Sequence, residues 1–147
     1  MEDYMNKIII AVGLVLALTV NAHAAVNAAG GIAIKGYDPV AYFITGRPAK
    51  GNNHFEYAWM GAKWHFVDKN NMDAFKASPE QYAPQYGGYC AYGMSKGQQA
   101  DIDPQAWTIH DGKLYLNFSP QVRFIWSRDL TGNVAKADEN WKKFKEE

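Results

Sequence analysis

The sequence predicts an α+β domain: a small antiparallel sheet built from two β-hairpins, packed with short helices and closed by a C-terminal amphipathic helix. Three observations carry this expectation. Residues 54–67 alternate, with Phe55, Tyr57 and Trp59 on one face and His54, Glu56 and Ala58 on the other. Asp111-Gly112 separates the alternating segments 107–110 and 113–116, and Asp-Gly is the favoured chemistry of a two-residue primed turn. From Asn133 onward, Val134, Ala137, Trp141 and Phe144 make one apolar stripe at helical spacing, with Lys and Glu elsewhere.

Taken in order, residues 1–24 read as a cleaved signal peptide. Lys7 precedes an apolar run over residues 8–20, too short to span a bilayer as a helix, and Ala22-His23-Ala24 supplies small residues for cleavage after Ala24. Glu2 and Asp3 weaken the positive start, which a start at Met5 would restore. The expected location is therefore exported and periplasmic, with no stable membrane anchoring after cleavage. Removing residues 1–24 leaves 14 basic and 13 acidic side chains, a formal charge of +1. Near-neutrality gives no electrostatic case for nucleic acid.

The mature chain opens with an Ala/Gly-rich stretch, residues 25–35, expected as a flexible lead-in to a domain over 36–147. A turn at residues 35–40 leads into a short apolar segment, and Gly46, Pro48, Gly51, Asn52 and Asn53 mark a loop. The first hairpin turns around residues 60–62. A helix over 68–77 follows, and Ser78-Pro79-Glu80-Gln81 reads as a helix start with Ser as cap and Gln able to close a capping box. After a glycine-punctuated segment at 86–97 comes the second hairpin, then a helix opened by Ser119-Pro120. No internal repeat is visible.

The segments Gly36-Tyr37-Asp38-Pro39-Val40-Ala41-Tyr42-Phe43, Phe75-x-x-x-Pro79-x-x-Tyr82 and Tyr86-Gly87-Gly88-Tyr89-Cys90-Ala91 resemble those of exported YHS-domain proteins. Asp103-Pro104-x-Ala106-Trp107, residues 111–117 and the stretch 132–138 with Trp141 fit the same pattern, so the likeness runs from Gly36 to Trp141. Short YHS domains are described as metal-binding, with cysteines after an Asp-Pro-Val segment and after the aromatic strand. Here those places hold Ala41 and the run Val67-Asp68-Lys69-Asn70-Asn71. The resemblance also implies a group named together with selenoproteins, which points to redox or soft-metal chemistry at a cysteine position.

Cys90 is the single cysteine, so no internal disulfide is available and the thiol is the natural candidate. Set in the first turn of a helix, it would meet unpaired backbone N–H groups that favour the thiolate. Met94, four residues on, would then share its face, and Cys with Met suits copper or another soft transition metal. His65 and His54 are candidates for a further ligand or a base, although on an outward strand face they read most simply as solvated polar residues. Three functions stay open. The leading expectation is a periplasmic, copper-type soft-metal binding protein with Cys90 as principal ligand and Met94, His65 and His54 as candidates to assist. Cys90 could be a redox thiol served by a small partner protein. Or Cys90 could be a small core hydrophobe in an accessory module. The five tryptophans are expected in the core, and Asp38 and Asp103, each before a proline, as turn caps.

Overall fold

The computed structural model describes residues 25–146. The expected signal peptide lies outside the described residues. Short α1 (Ala41–Ile44) precedes a hairpin of β1 (Asn52–Trp59) and β2 (Ala62–Phe66), then α2 (Lys69–Ala77) and α3 (Pro79–Tyr82). Short α4 (Ala91–Ser95) precedes the second hairpin, β3 (Asp103–His110) and β4 (Lys113–Asn117), then α5 (Pro120–Ser127) and α6 (Leu130–Glu146). The class is α+β as expected. The hairpins remain two separate two-stranded antiparallel ladders rather than one sheet. Among the described residues no helix is long and apolar enough to cross a membrane.

Local chemistry accounts for the elements. Both hairpin turns have two consecutive left-handed residues, Met60 (φ 52°) with Gly61 (φ 72°) and Asp111 (φ 49°) with Gly112 (φ 71°), the pattern that matches strand twist. Asp68 caps α2 by accepting from Asn71 N at 2.8 Å, and Ser119 caps α5 by accepting from Val122 N at 3.1 Å. Ser78 occupies the cap position of α3 without a side-chain bond, so the expected capping box does not form.

The lead-in is not loose. Val26, Ala33 and Ile34 are buried, Asn27 N donates to Gly87 O at 2.8 Å, and Ile34 N donates to Asn27 O at 2.9 Å. Composition suggests flexibility there, but the apolar side chains among the glycines find a core. One core cluster joins the lead-in to both hairpins through Ile34, Trp64, Phe66, Phe75, Leu114 and Leu116. A second, smaller cluster gathers Tyr86, Met94, Tyr115, Trp126 and Ala137 beneath α6. Trp64 and Trp126 are fully buried, while Trp59, Trp107 and Trp141 pack against the clusters part-exposed.

The order of elements conceals a repeat. Residues Ile34, Lys35 and Gly36 have φ of 41°, 59° and 80°; Tyr86, Gly87 and Gly88 have 59°, 63° and 82°. After each left-handed run the chain reads Gly36-Tyr37-Asp38 or Gly88-Tyr89-Cys90, then a short helix, a hairpin and a capped helix. The ladder irregularities match as well. Asn52 pairs with Phe66 and Glu56 with His65 in the first copy, and Asp103 pairs with Asn117 and Trp107 with Leu116 in the second. The two halves are therefore copies of one unit, and α6 is an addition that covers the second.

Candidate functional site

Corresponding positions in the two copies are Asp38 and Cys90, and each is the polar hub of its half. Asp38 is fully buried. Its Oδ1 accepts from Val40 N at 2.8 Å and Ala41 N at 3.2 Å, which starts α1. Its Oδ2 accepts from Val67 N at 2.9 Å, just past β2, and from Asn71 Nδ2 on α2 at 2.8 Å. Asp38 is thus more than the turn cap expected of an Asp before Pro. It ties α1, the hairpin and α2 together.

Cys90 repeats this role with sulfur. It is 1% exposed and caps α4, its Sγ accepting from Gly93 N at 3.4 Å. Phe118 N, just past β4, donates to the same sulfur at 3.2 Å. Gly93 and Phe118 stand in the second copy where Ala41 and Val67 stand in the first. One sulfur cannot take every donor that two carboxylate oxygens take. The leftover N–H of Tyr92, the counterpart of Val40, goes to Asn117 Oδ1 at 3.0 Å, and the Cys90 thiol donates to the same oxygen at 3.6 Å. Because a backbone N–H must meet the oxygen, the amide orientation is fixed. Among the described residues that leaves Asn117 Nδ2 buried without a partner, as is Trp126 Nε1 in the second core cluster.

The other expected site residues do not gather here. Met94 is fully buried in the second core cluster, whereas Cys90 belongs to the first. The shared helix face fails because Cys90 is a cap with φ −54° and ψ 121°, so helical spacing begins only at Ala91. His65 is 8% exposed rather than solvated, and its Nε2 meets Glu56 Oε2 across the first hairpin at 2.7 Å. His54 is exposed on β1. Among the described residues the hydrogen-bond partners of the Cys90 sulfur are Gly93 N, Phe118 N and Asn117 Oδ1, none of them a histidine. Among the described residues no group of three or more His, Cys, Asp or Glu side chains is arranged to hold a metal ion.

Sequence reasoning missed Asn117 and underrated Asp38. The signal for both was present in the shared Gly-Tyr step before Asp38 and Cys90, and in an Asn closing the apolar run Leu114-Tyr115-Leu116. No family model, no curated protein and no solved structure matches the chain.

Proposed function

We propose that this chain is an exported thiol-based redox protein whose reactive group is Cys90. The observation that carries the reading is the donor set. Two of the four positions that donate to the Asp38 carboxylate in the first copy, those of Ala41 and Val67, donate to the Cys90 sulfur in the second, so part of an anion site's construction is kept around the thiol. Backbone N–H donors are the groups that can accommodate charge on a sulfur during nucleophilic attack. The likeness to exported YHS-domain proteins, a group named with selenoproteins, points the same way.

In the proposed step the thiolate attacks one oxygen of a small hydroperoxide. An S–O bond forms, the O–O bond breaks, and the second oxygen departs with the electron pair and is protonated by water. Sulfur is oxidised to the sulfenic acid and the peroxide is reduced. With one cysteine in the chain, the return to the thiol uses two thiols from another molecule, through a mixed disulfide. Burial of Cys90 favours a small oxidant for the first step.

The same burial favours a second reading, an accessory module in which Cys90 only caps α4. Mass spectrometry of peroxide-treated protein, with dimedone as the sulfenic acid trap, separates the two. The redox reading expects one dimedone adduct on Cys90, none in Cys90→Ser, and recovery of the thiol with a dithiol. An untouched Cys90 under conditions that oxidise free cysteine, with Cys90→Ser as stable as the parent, establishes the capping role instead. Stoichiometric Cu(I) binding that disappears in Cys90→Ala would overturn both and restore the soft-metal expectation.

A further inference from the structure

A cleft of about 430 Å³ opens where the two copies meet, on the side of the hairpin tips. Its floor is Trp64 and Tyr86, which are 1% and 3% exposed. Its walls are aromatic and part-exposed: Trp59, 5.8 Å from Trp64 between ring centroids, and Trp141, 6.4 Å from Tyr86. Trp141 comes this close because Gly87 has no side chain. A Cβ there would stand 3.2 Å from the Trp141 ring and 2.0 Å from Ala25 O. The first copy therefore supplies Trp59 and Trp64, the second supplies Tyr86, and α6 adds Trp141.

The rim is charged. Lys113, at the tip of the second hairpin, and Lys145, on α6, both line the mouth, with Glu80 as the one acidic side chain among the lining residues. The Lys145 ammonium lies 5.9 Å from the centre of the Trp141 ring, which holds a positive charge at the edge of the slot. Two ammonium groups against one carboxylate leave the mouth with an excess positive charge. A cavity of this size, lined by aromatic rings together with several polar side chains, falls in the size range of small-molecule sites.

We propose that this cleft binds a small, flat aromatic carboxylate. The ring inserts between Trp59 and Trp141, and the carboxylate pairs with Lys113 and Lys145 at the mouth. Ring faces supply the apolar contact that a simple anion would not use, and the lysines supply the selection against neutral or cationic rings. The site does not depend on Cys90, so it stands or falls apart from the redox reading.

Isothermal titration calorimetry of the purified protein tests it with three probes that share one ring: indole-3-acetate, indole and tryptamine. Indole-3-acetate should bind saturably and more tightly than indole, and tryptamine more weakly than either. Replacing both rim cations in Lys113→Gln/Lys145→Gln should weaken indole-3-acetate roughly fivefold to tenfold, the scale of two partly screened ion pairs, and leave indole unchanged. Both lysines are exposed, and circular dichroism checks that the double variant keeps its fold. Absence of saturable binding by indole-3-acetate overturns the proposal, as does tryptamine binding equal to that of the acid.

Discussion

Asp38→Ala should be the most damaging single substitution of a polar side chain in this protein, and its size follows from four bonds. The carboxylate is fully buried and accepts from Val40 N, Ala41 N, Val67 N and Asn71 Nδ2, all within 3.2 Å. A methyl group in its place leaves those four donors facing an apolar interior. Val40 and Ala41 are themselves buried, so water reaches their N–H groups only if α1 moves. Donors left unsatisfied cost about 1–3 kcal/mol each, and partial relaxation brings the sum to roughly 3–5 kcal/mol. A domain of this size is stable by only about 5–15 kcal/mol, so Asp38→Ala should approach the unfolding threshold.

Asp38→Asn refines the prediction. The amide oxygen can keep the Val40 and Ala41 donors, but the amide nitrogen then faces Val67 N–H and the Asn71 amide, donor against donor. Its cost should be about half that of the alanine variant. Urea unfolding followed by tryptophan fluorescence measures both. An Asp38→Ala protein within about 1 kcal/mol of the parent would refute the hub assignment.

Two further outcomes are expected. The Tyr42 and Tyr86 phenols are pushed above the ordinary tyrosine value, in both cases first by burial, and for Tyr86 next by its hydrogen bond to Asp138. A raised value in the folded state means that the stability involved is complete below about pH 10 and is lost as pH rises beyond it. Urea midpoints should therefore fall between about pH 9 and pH 11, and less steeply in Tyr86→Phe; a flat profile in the parent would contradict the burial argument. At Cys90, an Asp should be tolerated better than a Val, by about 1 kcal/mol or more, because Asp can accept from Gly93 and Phe118. The reverse order in urea unfolding would mark Cys90 as an ordinary hydrophobe.

The local chemistry of the fold was legible, and its long-range chemistry was not. Asp111-Gly112, Ser119-Pro120 and Asp68 declare turns and caps through their own side chains, so the second hairpin, α5 and α2 fall where expected. The lead-in was misread because Ala and Gly report backbone freedom, whereas burial of Val26 and Ile34 depends on a partner surface distant in sequence. Spacing of four between Cys90 and Met94 suggested one face, but that rule needs helical dihedrals at both residues. The repeat escaped notice for a related reason. Its copies share left-handed runs, ladder irregularities and cap positions, which are backbone properties that different side chains satisfy. Little beyond the Gly-Tyr pair before each hub and the turn glycines Gly61 and Gly112 survives as identical letters.

That duplication gives the lone cysteine a physical context. A buried carboxylate is expensive to place, and the first copy offsets it with four donors. The second copy keeps two of the corresponding donors but holds a sulfur, while Asn117 diverts the Tyr92 N–H and leaves its own Nδ2 unmatched. A unit refined only for stability would gain by matching that donor or by burying a plain hydrophobe without polar neighbours. Unmatched buried donors persist where something else is gained, and functional sites are where such exceptions concentrate. On the proposed redox reading, the unmatched amide at Asn117 is the local feature that sets the surroundings of Cys90 apart from the Asp38 strut.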